Sequence, residues 1–194
     1  MADHRLTFPT DEEHIRELRA GDSVTVDGHI IGIRDRTQIR MFDHGQRPEM
    51  DLTGALLLHT APGVRKLGPG KYEKVCIGTT TSARMVRFTE PLGRDYGVRA
   101  ICGKGGLPDE AIEPMKKLGM VYFAIVGGAA ALETTQIEEI EEVAWEELMP
   151  ECLWKFRVKD FGPLTVGIDA HGTSLFHDVQ EAAKKRLEDL YARL

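Results

Sequence analysis

An α/β fold with a partly parallel sheet is what this sequence of 194 residues predicts. Three times a short apolar run leads into a glycine-containing turn and then into a helix-patterned stretch. The first unit runs from Lys74–Ile77 through Gly78-Thr79-Thr80-Thr81 to Ser82–Phe88. The second joins Val98–Cys102 to Pro108–Leu118 through Gly103-Lys104-Gly105-Gly106, and the third joins Val121–Val126 to Ala129–Val143 through Gly127-Gly128. Parallel strands with crossover helices are the economical reading, and ligands of such sheets bind beyond the carboxyl ends of the strands, where all three turns would lie. Composition agrees with a globular chain able to bury a core: 42% of residues are hydrophobic and 29% charged.

The remaining elements follow in order. Thr10-Asp11-Glu12-Glu13 has the form of a capping box, starting a helix through Ile15, Leu18 and Ala20 that stops at Gly21. Val24 and Val26 alternate with polar neighbours, Asp27-Gly28 is a hairpin signal, and His29–Ile33 is the returning strand, ending at Arg34. Thr37–Phe42 reads as a short helix and Ala55–Leu58 as a buried strand before the turn at Ala61-Pro62-Gly63. A last strand covers Leu164–Asp169, and an amphipathic helix from His177 to Leu194 places Leu187, Leu190 and Leu194 on one face. Nothing resembling a linker or low-complexity segment divides the chain, so one domain over residues 1–194 is expected.

Several function classes drop out. The formal net charge of −6 supplies no basic excess for nucleic acid, and no run of apolar residues is long enough for a membrane helix. The N-terminus lacks the basic-then-apolar order of a signal peptide, so a cytoplasmic location is the expectation. Cys76, Cys102 and Cys152 are scattered, without a C-x-x-C pair; neither a disulfide framework, a zinc site nor a four-thiolate cluster can be built from them. Gly103–Gly106 fits neither dinucleotide nor P-loop signatures, and after Lys71 stands Tyr72 where a P-loop needs Ser or Thr.

What remains is a group of cations and hydroxyls where the sheet should open. Lys104 is flanked by glycines and can approach an anion without crowding. Thr79, Thr80, Thr81 and Ser82 form a hydroxyl-rich turn with Arg84 one helical turn beyond Thr80, and Arg34 ends the expected hairpin. Two guanidinium forks and an ammonium suit a small molecule with two carboxylates. Each residue also has a plainer reading: a tight turn for Lys104, a surface ion pair for Arg34, a helix cap for Thr80. Of the histidines, His59, His171 and His177 are candidates for acid–base work, His171 foremost, and its plainer role is in a turn stabilised by Asp169. The run Glu138–Glu142 reads as a solvated helix face.

The stretches Ile77–Met85, Ile101–Gly106, Val126–Leu132 and Trp154–Val158, with Asp160-Phe161 following, resemble the β subunit, or C-terminal domain, of the class I iron–sulfur hydro-lyases, fumarate hydratase and L(+)-tartrate dehydratase. The family usually has Gly-Pro-Thr-Thr where this chain has Gly78-Thr79-Thr80-Thr81. The resemblance implies a swivelling β/β/α three-layer domain that closes over a larger α subunit, which would hold a 4Fe-4S cluster with one open iron for adding water across a carbon–carbon double bond. It also implies a pair of β chains within a heterotetramer. Carried over residue by residue, it assigns Arg34, Arg84 and Lys104 to the substrate carboxylates and Thr80 to positioning or proton transfer at the reacting carbon, with Thr80 and Lys104 as the catalytic pair. Fumarate is the leading substrate, with tartrate or mesaconate as alternatives; a stand-alone dicarboxylate-binding module or a structural scaffold are the competing classes. No metal ligand is expected on this chain.

Overall fold

The structure, a computed structural model, describes residues 1–128 and 130–191. Its centre is a sheet of β1 (Asp3–Phe8), β2 (Ser23–Ile33), β3 (Leu56–His59), β6 (Ala100–Gly103), β7 (Val121–Ala124), β8 (Ile137–Ala144) and β9 (Leu153–Ile168). A separate hairpin is formed by β4 (Gly63–Gly68) and β5 (Lys71–Cys76). The helices are α1 (Glu12–Glu17), α2 (Asp35–Phe42), α3 (Thr89–Tyr96), α4 (Ile112–Leu118), α5 (Ala130–Gln136) and α6 (Leu175–Tyr191).

β1, β2, β3, β6 and β7 pair in parallel in that order, as a strand–loop–helix sequence requires. The long β9 runs antiparallel to β7, β2 and β8, and because it bonds both β7 and β2 the strands β2-β3-β6-β7-β9 close on themselves. Strands buried on both faces read as continuous apolar runs, as Leu56-Leu57-Leu58 and Val121-Tyr122-Phe123 do here. Alternate residues feed two cores. Ile30, Leu56, Leu58, Cys102 and Phe123 join Trp154 and Phe156 in one; Ile31, Leu57, Ile101 and Tyr122 face the other, covered by Met41, Leu92 and Met115 from α2, α3 and α4.

Several expectations are corrected. Asp27-Gly28 does not turn the chain: β2 is one strand, and Gly28 (φ +95°) lies so close to β1 that a Cβ would stand 2.3 Å from the Phe8 carbonyl oxygen. Lys74–Ile77 is not a parallel strand of the main sheet: Lys74–Cys76 closes the antiparallel β4–β5 hairpin and Ile77 follows it. The expected helix from Ala129 to Val143 ends at Gln136; Ala129 itself lies outside the described residues. Residues 137–144 are strand β8, whose register against β9 slips between Ile137 and Glu139 and again between Ile140 and Glu142. Each slip adds a residue, converting the strand period of two into the spacing of three shown by Ile137, Ile140 and Val143, which imitates a helix in the sequence. The glutamates among them are accordingly a strand edge, tied to Arg157 by Glu138, Glu139 and Glu141.

Other differences are smaller. α1 is capped by Asp11, whose side chain accepts the His14 N–H at 3.0 Å, in place of Thr10, and it stops before Leu18. Ser82–Phe88 gives way to a 3₁₀ segment over Ala83–Phe88. The expected last strand Leu164–Asp169 is the closing part of β9, which ends at Ile168. On α6, Leu187 and Leu190 are largely exposed, and Leu194 lies outside the described residues.

Candidate active site

The segment after Ile77 crosses the carboxyl ends of β3 and β6. Thr80 N–H donates to the His59 carbonyl at 2.7 Å, Lys104 N–H donates to the Thr80 carbonyl at 3.3 Å, and Ser82 N–H donates to the Lys104 carbonyl at 3.0 Å. The Thr60 hydroxyl anchors the turn from beneath through the Gly78 carbonyl at 2.7 Å. Two glycine turns remote in sequence are thereby stitched side by side, and Thr80 and Lys104 become neighbours, both half-buried.

Arg34 and Arg84 arrive from another direction. Arg34 precedes α2, and Arg84 is the second residue of the 3₁₀ segment beyond the turn. Asp35 joins them: Arg84 grips it with Nε at 2.9 Å and Nη2 at 2.6 Å, and Arg34 Nε reaches it at 3.3 Å. Arg84 Nη1 also donates to the Thr81 carbonyl at 3.1 Å, fixing the guanidinium beside the turn. Burial works against the Asp35 charge, but the hydrogen bonds and field of Arg84, assisted by Arg34, hold the carboxyl below its usual range. Arg34, Thr80, Arg84 and Lys104 thus border one region of the molecule.

Under this region lies a buried polar network. His59 Nδ1 is 2.9 Å from Ser82 Oγ, and the Tyr122 hydroxyl donates to the same Oγ at 3.1 Å. Gly103 leaves the space for it, since a Cβ there would stand 2.0 Å from Ser82 Oγ. Burial drives the His59 pKa down to about 3, so the ring is neutral at physiological pH and serves the network. His171 caps nothing at this site; it contacts Arg19 and the Arg16 carbonyl near α1, within a turn held by Asp169 Oδ1 through the His171 and Thr173 N–H groups. His177 pairs with Asp109 at 2.8 Å in solvent.

On the Lys104 side, Thr79 Oγ1 lies 2.9 Å from the Val126 carbonyl and 3.3 Å from Glu133 Oε2. Glu133 is buried, and its Oε1 has no partner among the described residues. Burial raises its pKa to about 7 against the opposing pull of Thr79 and Lys104. Lys104 lies along Gly127, where a Cβ would come within 2.8 Å of its Cδ. Asp35 and Glu133 are the two site carboxylates that sequence reasoning missed. Asp35 was signalled only by its place beside Arg34, and Glu133 only as a lone acid in the small-residue stretch Ala130–Gln136.

Comparison with known proteins now decides the family. The model of the Fumarase C-terminus family matches residues 3–179. The chain belongs to that family. It is 38% identical over 186 residues to the L(+)-tartrate dehydratase subunit beta of Escherichia coli (strain K12), covering 95% of this chain and 92% of that protein. A putative L(+)-tartrate dehydratase subunit beta of Methanocaldococcus jannaschii is 33% identical over 184 residues, with 92% and 94% covered. A putative fumarate hydratase class I of Geobacillus stearothermophilus is 36% identical over 183 residues, which are 94% of this chain but 35% of that protein. Among the described residues no group of three or more His, Cys, Asp or Glu side chains could hold a metal ion, and no helix is long and apolar enough to cross a membrane. Cys76 is exposed while Cys102 and Cys152 are buried, so the thiols do not form a cluster-binding set.

Proposed function

We propose that this chain is the β-type subunit of a class I fumarate hydratase, hydrating fumarate reversibly to L-malate together with an α subunit. The observation that carries this reading is the meeting of Arg34, Arg84, Lys104 and Thr80 at one edge of the sheet, in a chain of the fumarase C-terminus family. Three cations from separate elements suit a dianion of four carbons, and the Arg84 fork, already set by Asp35 and the Thr81 carbonyl, is oriented before ligand arrives. In this reading Arg34 and Arg84 hold one carboxylate and Lys104 the other. The Thr80 hydroxyl positions the reacting carbon and relays its proton; an unassisted threonine is too weak a base to take it alone. The thiols of this chain do not fit a 4Fe-4S cluster, so the Lewis acid for the hydroxyl belongs to the α subunit. We read the closed sheet and its helices as a swivelling β/β/α domain that completes the site by docking on that subunit, within a heterotetramer containing two β chains.

L(+)-tartrate dehydration is the second reading, favoured by the names of two relatives that match nearly end to end. A pocket built to hydrogen-bond the extra hydroxyl of tartrate discriminates strongly against an analogue lacking it. Co-expression with a cognate α subunit, anaerobic cluster reconstitution and assay of fumarate, malate, tartrate and mesaconate test both. Turnover of fumarate and malate by the complex, and none by the isolated chain, is expected. Preference for tartrate would select the second reading; failure with all four substrates would remove the enzyme. A stand-alone binding module would instead show tight dicarboxylate binding by the isolated chain in calorimetry.

A further inference from the structure

Thr79 stands where the family pattern has proline, and its hydroxyl makes contacts that proline lacks. That hydroxyl has one proton. The Val126 carbonyl, at 2.9 Å, can only accept it, so the 3.3 Å contact with Glu133 is satisfied when the carboxyl carries a proton of its own and donates to Thr79. An ionised Glu133 would leave two buried acceptors facing one committed hydroxyl, with Oε1 already unpartnered among the described residues. The cation whose field reaches it is Lys104, which lies against Gly127 and acts on Glu133 through space without forming an ion pair with it.

We propose that Glu133 is a positioning residue for Lys104: protonated, it braces Thr79 and leaves the ammonium to the ligand; ionised, it draws the ammonium back from the site. The inference deepens the dicarboxylate reading and rests on it for the identity of the ligand. The groups around Glu133 leave Lys104 as the responsive partner. The Cys102 thiol on β6 is pushed well up by burial and stays neutral. Lys74 from β5 is held by the Thr134 and Ile137 carbonyls. β8 and β9 bring Ile137, Phe161 and Leu164 to the same core, while the β8 glutamates engage Arg157 and His29. With a pKa raised to about 7, Glu133 changes state in the range where an enzyme of central metabolism would work. A dianion at Lys104 favours the protonated state, so ligand binding takes up a proton.

The test has two arms. In the full chain labelled with ¹³C at glutamate, the carboxyl carbon of Glu133, assigned by its loss in Glu133→Gln, should titrate near 7, and Lys104→Met should move that midpoint upward. A midpoint in the ordinary glutamate range, or one insensitive to Lys104→Met, overturns the proposal whatever the complex turns over. In the reconstituted complex, KM for the dicarboxylate should rise roughly tenfold between about pH 6 and about pH 8.5, the loss of one charge-assisted contact, and stay flat in Glu133→Gln. The same rise in Glu133→Gln, or none in the unsubstituted complex, also overturns it. A carboxyl that titrates as expected and responds to Lys104, in a complex that turns over no dicarboxylate, would uphold the Glu133–Lys104 coupling and remove the functional reading alone.

Discussion

The two walls of the candidate site hold their charges by opposite means. On the Arg34–Asp35–Arg84 wall the charges are partly solvated and locked to each other, with Arg84 about half exposed and Asp35 accepting from both guanidinium groups. On the Lys104 wall the acid is buried and carries a raised pKa, so the lysine is left without an ion pair among the described residues. The first wall is a prepaired fork whose orientation is fixed, and with Glu151 3.9 Å from Arg34 Nε its two cations face two carboxylates. The second offers an uncompensated ammonium, with its counter-charge suppressed by burial. An anionic ligand therefore gains orientation from the first wall and most of its electrostatic attraction from the second.

The largest effect expected from this contrast is on stability against pH. His59, beneath the arginine wall, has a pKa lowered to about 3 from 6.5; Glu133 has one raised to about 7 from 4.5. Below about pH 6.5 the unfolded chain binds a proton at His59 that the folded chain refuses, so stability falls as pH falls. Between about pH 4.5 and 7 the folded chain keeps a proton at Glu133 that the unfolded chain has released, so this contribution falls as pH rises. In the overlap, from about 4.5 to 6.5, the slopes of about 1.4 kcal/mol per pH unit have opposite signs and cancel. Urea unfolding should show a flat region there, a stability that rises with pH in Glu133→Gln, and one that falls with pH in His59→Asn. Two variants with unchanged, flat profiles would break the contrast between the walls.

Lys104→Met comes next. Removing the ammonium that holds one substrate carboxylate should lower kcat/KM of the assembled complex by about 10²- to 10³-fold, with a far smaller change in unfolding midpoint. Gly127→Ala tests the same wall by displacement. Its Cβ would crowd Lys104 Cδ, the flexible part of a side chain, so the ammonium shifts and the fold stays. Steady-state assay should find a loss of roughly tenfold, smaller than for Lys104→Met because the charge remains.

How far each wall was legible in the sequence follows the same division. Lys104 and Thr80 announced themselves through a glycine turn and a run of hydroxyls, and the parallel pairing of β6 and β7 could be read from the apolar runs before their glycine turns. The same reading failed for Lys74–Ile77, and Thr80 precedes the 3₁₀ segment that carries Arg84, so helical spacing does not join them. Asp35 and Glu133 could not be found that way. Their roles depend on which remote side chain they meet: Asp35 meets Arg84 across 49 positions, and Glu133 meets Thr79 across 54. β8 was misread for a related reason, because its two register slips arise from pairing with β9 and leave a helical spacing in the sequence. Gly28 misled in the other direction, its glycine being required by the approach of β1 and not by a turn. Local pattern encodes elements and turns; close approach between distant segments has no local signature.

The smallest effect expected is at Asp35, and it separates the walls most directly. The Asp35–Arg84 pair is bidentate but partly exposed, with side-chain exposures of 28% and 45%, so solvent screens it. Asp35→Asn should therefore cost no more than about 1 kcal/mol in urea unfolding. It leaves both guanidinium groups in place while loosening the direction in which Arg84 points, so KM for the dicarboxylate should rise a few-fold. Removing a negative charge beside an anion site would by itself lower KM; a rise means that orientation outweighs charge on this wall. Added salt should shrink the difference between Asp35→Asn and the unsubstituted complex, because screening acts on exposed pairs, and should leave the Glu133→Gln difference nearly unchanged, because that carboxyl is buried. A several-kcal/mol loss in Asp35→Asn, or equal salt sensitivity at both positions, would show that the walls are not electrostatically distinct.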